Sequence, residues 1–566
     1  MSEARGSLRW VAVGAVLPAV ALFFAPLTVA AGNPSQFPDF WGVARSSFLV
    51  SLASGVVLLA MLAFVARVPV VRNVLAGLLV GAACAATVQS SFLRWNVGLL
   101  DGRPKDWGAF GANARIDLIV WVVIVGGVVV LSCRRRTRNA TATLATGILF
   151  MGLVTTGSAV GSRMLSEEGP ASTATNGDTL AFDDRNNVIV VVLDSFQSDA
   201  FDEIRRSHPE EVGFLAGFDY YPNTVGGYPT TRFAIPSVLN GSYYTNDGKF
   251  TASTLTKMNA DSLPVAYRDR GYDVVGDFEM APYPKMTGLN LTSRALRDTS
   301  YAGLPANHLR AIDAGLYRSS PLTLKKRIYD DDRWFLTELA RSNSGIPFPL
   351  VEDAMFADSF ARGATISPES AGTFKFFHLR GVHHPVMVNE KYEYVRDLQD
   401  SRTGYVNQAR GALLLLRRIL GTLGDLGVLD AAEVVVLGDH GAHNRPPVDM
   451  EGNPLDTTIA PEIIGQARPL LLHKRASAGT VALRVDSRSM HTAWVPCMLE
   501  VGSESDCRDH ERSLRGEEVV RRHYRYEWVH DSWFDDHAPP MTVYEVSGDA
   551  RKYQSWTNTG ETLVSR

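Results

Sequence analysis

The stretch that decides the fold of the second half of this chain is "NNVIVVVLDSFQSDAF", Asn186 to Phe201. Val188 to Leu193 is an unbroken apolar run, rich in β-branched residues and bounded by polar ones. Such a run reads as a strand buried on both faces of a parallel sheet. It stops at Asp194, and Ser195 to Ile204 have helical spacing. In open α/β sheets, ligands bind beyond the carboxyl ends of the strands. Asp194 is therefore a candidate site residue.

Downstream segments repeat the design. "AAEVVVLGDHGAH" holds a strand, Glu433–Leu437, followed by Asp439 and His440 on a turn flanked by Gly438 and Gly441. A helix with an apolar face, Tyr405 to Leu426, precedes it. "TFKFFHLRGVHHP" is a third strand ending near His383, His384 and Pro385. "YRDRGYDVVGDFEM" reads as a helix end, Gly271, and a strand from Tyr272. Strands alternating with helices predict a mostly parallel α/β domain.

The first half is of another kind. Residues 1–165 carry 14 Lys+Arg against 5 Asp+Glu, and the remainder carries 42 against 55. Five apolar stretches, Val11–Ala31, Phe48–Ala66, Val74–Phe92, Ile116–Leu131 and Ala142–Ala159, approach the ~20 residues that cross a bilayer. The last two are the shortest. The first is read as an anchor rather than a cleaved signal, because four similar segments follow. Arg5, Arg9, Arg67, Arg72 and the run Arg134–Arg138 fall on one side, which the positive-inside rule makes cytoplasmic. Five spans then put everything after Gly161 outside the cytoplasm. Asp117, at the start of the fourth span, reads as a helix-start residue at the interface.

The boundaries expected are a transmembrane domain over 1–163, a polar linker over 164–185, and an extracytoplasmic domain over 186–566. Within the last, residues 302–359 form an insert with "LTLKKRIYDDDRWF". It is open to two readings, a helix lying near the membrane or an ordinary surface helix, the second being the commoner. The aromatic, charged C-terminal tail forms a hairpin or rims a groove. An oxidising compartment permits Cys497 and Cys507 to pair, with the free form equally open.

An Asp ending one strand and an Asp-His pair ending another make a plausible cage for one divalent metal ion, Mn²⁺ or Zn²⁺. A hydroxyl would complete it and would gain acidity there, becoming nucleophilic. The candidates are Thr230 and Thr231, in "VGGYPTTRFAIPSVLNG", Val225 to Gly241. Thr230 is alternatively a plain helix N-cap. His378, on a strand, reads as a satisfied core histidine, and Asp199 as a first-turn helix acid. Arg232 is a candidate clamp for phosphate oxygens.

Taken in order, "NVIVVVLDSFQSDAF", "PTTRFAIPSVLNG", "RDRGYDVVGDF", "FHLRGVHHP" and "VVVLGDHG" resemble the sulfatase and alkaline-phosphatase-like superfamily over roughly Asn186 to Val501. With five spans ahead of it, the chain resembles the membrane phosphotransferase branch: lipoteichoic acid synthase, phosphoglycerol transferases and phosphoethanolamine transferases. The resemblance implies an α/β/α sandwich of alkaline-phosphatase type. It implies metal ligands at Asp194, Thr231, Asp439 and His440, although the membrane transferases usually have Glu where Asp194 stands.

Counting back ten residues from Gly241 places the nucleophile at Thr231. The Cys/Ser-x-Pro-x-Arg pattern is missing there, which argues against a formylglycine sulfatase. His383 matches the histidine of a Gly-x-His-x-Pro element and is expected to bind phosphate or receive a proton, with His384 a weaker substrate-binding candidate. His443 reads as a ligand-supporting or loop residue, and His491 stands where the family often has Asp. The extra Asp-x-x-x-His pair that dinuclear relatives carry between the nucleophile and the Asp-His-Gly turn is not found there, so one metal is expected.

The function implied is transfer of a phospholipid headgroup through a phospho-threonine intermediate to a cell-envelope glycan or glycolipid. Glycerol phosphate from phosphatidylglycerol is favoured, because phosphoethanolamine transferases usually carry several outer disulfides and a Cys-Gly before the nucleophile, where this chain has "GGYPT". A phosphoethanolamine transferase, a membrane-anchored phosphodiesterase and an inactive sulfatase-like scaffold are the alternatives. The expected location is the bacterial cytoplasmic membrane, with multiple spans and the catalytic domain on the extracytoplasmic face. Nucleic acid is not an expected partner.

Overall fold

The computed structural model describes residues 2–565 except 34–36, 38, 94, 96, 98–99, 101–104, 135–137, 167–179, 251–259, 279–289, 294–299, 302–303, 342–347, 368–370, 396–397, 399–400, 443–460 and 528–536. Two compact units result, one comprising Met1–Pro170 with Ala295–Phe348, the other Ala171–Arg294 with Pro349–Arg566.

The first unit is helical. Among the described residues five helices are long and apolar enough to cross a membrane: Arg9–Gly32, Phe40–Phe64, Pro69–Ser91, Trp107–Cys133 and Ala140–Met164. The last two are not short, since each continues through polar or small residues beyond its apolar centre. Small residues let the helices approach closely. A Cβ on Gly77 would lie 2.7 Å from the Val129 Cα, and one on Gly81 2.9 Å from the Val125 Cα.

The same unit contains, up to Phe348, the segment expected as an insert in the outer domain, and residues 349–359 belong to the second unit. The segment's Ala306–Ser319 helix packs on the Ala25–Gly32 end of the first span and on the second and third. A Cβ on Gly315 would meet Pro26 at 2.4 Å. His308 is buried, with Nδ1 2.8 Å from the Ser46 hydroxyl and Nε2 3.1 Å from Asp39. Asp117, expected at an interface, is fully buried and accepts hydrogen bonds from Trp95 Nε1 and the Leu322 amide. The commoner surface-helix reading thus gives way to packing against the spans. The apolar periodicity of 306–319 reports a buried face and not what covers it.

The second unit is built on an eight-stranded sheet. In chain order its strands are β1 (Asn187–Leu193), β2 (Asp219–Tyr220), β3 (Asp273–Phe278), β4 (Asn290–Ser293), β5 (Thr373–Leu379), β6 (Glu433–Leu437), β7 (Leu471–Lys474) and β8 (Arg484–Val485). Their spatial order is β8-β2-β7-β6-β1-β5-β3-β4. From β6 to β4 neighbouring strands are parallel, and β7 runs antiparallel to both β6 and β2. All seven residues of β1 are buried, as its apolar run requires. The tail forms a separate antiparallel sheet of β9 (Val520–Arg525), β10 (Met541–Ser547) and β11 (Trp556–Leu563), one strand more than a hairpin.

The folded unit begins before the expected linker ends. Ala181–Phe182 pairs with Thr365–Ile366, and the buried Phe182 ring meets Phe360 edge-on at 5.6 Å. Two apolar side chains, Leu180 and Phe182, are what draw this stretch in. Cys497 and Cys507 form a disulfide, with Cα atoms 5.4 Å apart.

Candidate active site

The site sits where β1, β5 and β6 end together. Leu379 of β5 is level with Leu193 of β1, and Leu437 of β6 is level with Val192. Parallel, in-register ends bring Asp194, His378 and the Asp439-His440 pair to one edge, the position at which such sheets bind ligands.

Each group is fixed by backbone chemistry. The chain after Asp194 does not run straight into a helix as its spacing suggests; Ser195 has φ 61°, and the helix starts at Ser198. A non-glycine residue at positive φ costs energy and is held by its surroundings. Here the Tyr405 hydroxyl donates to the Ser195 carbonyl at 2.6 Å and accepts from the Gln197 amide at 3.0 Å. The Ser195 amide and the His440 amide both donate to Asp439 Oδ1, at 3.1 and 2.9 Å. Gly438 and Gly441 are required by space: a Cβ on either would lie 2.5 Å from the Phe196 carbonyl oxygen or 1.8 Å from that of Gly465.

Thr231 opens the Thr231–Asn240 helix. Its Oγ1 lies 3.2 Å from Asp194 Oδ2 and 3.4 Å from His440 Nε2. Thr230 has the extended backbone of an N-cap, but its hydroxyl makes no cap bond and meets the Tyr526 hydroxyl instead. The two threonines, equivalent as residue types, are thus separated by geometry, and Thr231 is the one facing the carboxylates.

The donor set implies a cation. Asp194, Asp439 and His440 place one ligand atom each within 4.8 Å of one another, and all three are buried. His440 Nδ1 lies 2.7 Å from the Gly441 carbonyl, which makes Nδ1 the protonated nitrogen and leaves a lone pair on Nε2. Asp439 Oδ2 is buried and accepts no hydrogen bond. Two carboxylates, an imidazole lone pair and a hydroxyl converge with a single hydroxyl proton among them. A buried set of acceptors of this kind is unfavourable without a positive charge. Burial pushes the Asp194 carboxyl up, but the imidazoles of His383 and His378 outweigh it and hold the group well below the ordinary carboxylate range. Mixed carboxylate and imidazole ligation fits Mn²⁺ or Zn²⁺.

The other expected residues are distributed around this centre. His378 is fully buried, yet its Nε2 is 3.5 Å from Asp194 Oδ2, so it belongs beside the cage rather than to the apolar core. His383 is half-buried, its Nδ1 2.7 Å from the His384 carbonyl, and Gln408 Nε2 donates to the His383 backbone carbonyl. His384 is buried and contributes that carbonyl, which also accepts from Arg380. The His384–Pro385 bond is cis. Arg232 lays its guanidinium over the Phe233 and Phe250 rings at 5.7 and 5.4 Å. Asp199, in a first helical turn as expected, pairs with Arg402 at 2.9 Å. His491 is structural: Nδ1 accepts from the Ala493 amide, Nε2 is 3.0 Å from the Arg522 carbonyl, and burial pushes it down to about 3. His443 lies outside the described residues.

Sequence reasoning missed three supports. Asp353 accepts from the Arg380 and Gly381 amides and so braces the loop that carries His383. Tyr405 holds the turn after Asp194, and Gln408 ties His383 to Met387. None lies in a motif; each is a lone polar residue on a helix remote from the strand it serves.

The family model described as Sulfatase matches residues 186–482. The chain belongs to the sulfatase family. Among solved structures, the chain is similar to the lipoteichoic acid synthase LtaP from Listeria monocytogenes (14% identity, 70% of this chain and 90% of that one, TM-score 0.37). It is also similar to the phosphonate monoester hydrolase SpPMH from Silicibacter pomeroyi (13%, 65% and 87%, TM-score 0.37). A third is the C-terminal periplasmic domain of EcEptC from Escherichia coli (11%, 56% and 82%, TM-score 0.30). No curated protein matches. In this sulfatase-family domain the residue within reach of Asp194 and His440 is a threonine, and the five apolar helices precede the matched region.

Proposed function

We propose that this protein is a membrane-anchored, metal-dependent phosphotransferase. It moves a phospholipid headgroup, glycerol phosphate from phosphatidylglycerol being favoured, to a cell-envelope glycan or glycolipid. The observation that carries the reading is the Thr231 hydroxyl at hydrogen-bond reach of both Asp194 and His440. Asp194, Thr231, Asp439 and His440 would hold one divalent ion, Mn²⁺ or Zn²⁺. When bound, that ion lowers the pKa of the hydroxyl and offsets charge on the phosphoryl oxygens.

The residues then act in two displacements. Thr231 Oγ attacks phosphorus; the Oγ–P bond forms as the P–O bond to diacylglycerol breaks. The threonine proton would be released to solvent, because the Asp194 carboxyl, held well below the ordinary carboxylate range, is too weak a base to keep it. His383 supplies a proton to the departing diacylglycerol oxygen, and Arg232 and His384 contribute to binding the substrate. An acceptor hydroxyl next attacks the phospho-threonine. It gives its proton to His383 and restores Thr231. Spans that keep the site at a membrane suit a donor that cannot leave the bilayer, and the basic-residue bias supports an extracytoplasmic catalytic unit.

Incubation of the full-length protein with Mn²⁺ and headgroup-labelled phosphatidylglycerol, without acceptor, tests the reading. A single-turnover burst that stops is expected. Rapid multiple-turnover release of free glycerol phosphate would reject transfer in favour of hydrolysis.

A further inference from the structure

The segment that packs with the membrane helices leaves an outward face of mixed character. Its Leu322–Tyr329 helix is anchored by the Leu322 amide on Asp117, six residues past the Gly111 start of the fourth-span helix. That is about 9 Å along the helix axis at ~1.5 Å per residue. Lys325 is buried against Tyr317, donating to its carbonyl at 2.8 Å with its ammonium 4.4 Å from the ring centre. On the outer side, Leu324 is 45% exposed, and Phe335 and Leu339, four residues apart on the next helix, are 52% and 65% exposed. Lys326 and Arg327, on the same helix as Leu324, are exposed and form no ion pair among the described residues, although Lys326 lies within electrostatic reach of Asp331. The acids that follow are largely engaged: Asp330 with Arg333, Asp332 with Arg310 and the Trp334 ring nitrogen.

We propose that this face, Leu324, Phe335 and Leu339 with Lys326 and Arg327, is an interfacial contact with the anionic lipid surface on the side of the membrane from which the insert docks. Interfacial helices bury apolar side chains ~5–10 Å into the headgroup and acyl boundary and direct basic ones to anionic lipid. The tie to Asp117 sets the Leu322 end of the helix at that depth, the same helix packs on the fourth span, and the neighbouring Ala306–Ser319 helix packs on the first three. Three exposed large apolar groups at such a depth meet acyl chains; the exposed cations of the same segment, Lys326 and Arg327, meet phosphates. This contact does not depend on the transferase reading.

The test is a depth measurement on the full-length chain in nanodiscs. Cys84 and Cys133, the two free cysteines, are replaced by alanine, and single nitroxide labels are placed at L324C, F335C or L339C. Collision with oxygen is compared with collision with a water-soluble nickel chelate. The expected result is a severalfold rise in the oxygen-to-nickel ratio over a free aqueous nitroxide at all three positions, larger with phosphatidylglycerol than with phosphatidylcholine alone. Labels as open to nickel as the free nitroxide would overturn the proposal. Labels shielded from both reagents, with broadening that vanishes on dilution with unlabelled protein, would overturn it by assigning the face to a second copy. Equal ratios in neutral and anionic discs would overturn the selectivity for anionic lipid.

Discussion

Gly381→Ala isolates how tightly the chain is built around Asp194. Gly381 has φ +59°, and a Cβ there would lie 2.7 Å from the Asp194 nitrogen, 2.8 Å from the Leu193 carbonyl carbon and 2.9 Å from the Leu193 Cα. The left-handed conformation costs a non-glycine residue roughly 1–2 kcal/mol. Overpacking against backbone that cannot rotate away adds about 1–3 kcal/mol, so the total is ~2–5 kcal/mol. Gly271→Ala is the control: φ is +84°, but the nearest atom, the Ala371 Cβ, is 3.5 Å away. It should show only the conformational part, ~1–2 kcal/mol. The difference between the variants is the part stored against Asp194. Thermal unfolding reads it at roughly 2–4 °C per kcal/mol for a large domain. Titration with Mn²⁺ reads the displaced ligand, with affinity falling roughly 10–100-fold, the range seen for disturbed ligand supports. If Gly381→Ala matched Gly271→Ala in both assays, the close approach at the end of β1 would not be what positions Asp194.

Three further outcomes are expected. Tyr405→Phe leaves the Ser195 carbonyl and Gln197 amide unpaired and should cost ~2–6 kcal/mol, at about 1–3 per buried group, with weakened Mn²⁺ binding; an unchanged melting temperature would contradict it. Replacing Cys497 and Cys507 by serine opens a loop with a separation of 10 residues and should cost about 2–3 kcal/mol on chain entropy, read by unfolding with and without reductant on the wild type. Burial pushes the His308 imidazole down, with Asp39 opposing. A lowered histidine pKa means the folded state binds fewer protons, so its contribution is full above the unfolded value near 6.5 and is lost as pH falls through it. Amide exchange over Ala306–Ser319, corrected for intrinsic rates, should quicken below about pH 6.5, and this dependence should vanish in His308→Asn. A flat profile in the wild type would sink that link.

Much of this was legible in the sequence because it is written locally. The apolar run before Asp194, the glycine-flanked Asp439-His440 turn and the count from Gly241 to Thr231 each need only a short window. The five spans are length and hydropathy. What was not legible is non-local. The choice between Thr230 and Thr231 turns on the Tyr526 hydroxyl, nearly three hundred residues away. His378 read as core because a strand position says which face is buried, not that Asp194 lies across it. The 306–341 helices carried an apolar pattern with no indication that its partner was the membrane bundle. Ser195 at positive φ broke the expected helix start, a conformation that the sequence gives no reason to assign.

The central claim is that Thr231 carries the headgroup during turnover. Intact-mass and peptide mapping of the full-length wild type and Thr231→Ala, each exposed to phosphatidylglycerol with Mn²⁺ and no acceptor, test it most directly. A glycerol-phosphate adduct on Thr231 of the wild type, missing from Thr231→Ala, is predicted. An adduct that persists in Thr231→Ala or maps to Thr230, or turnover undiminished in that variant, would contradict the account.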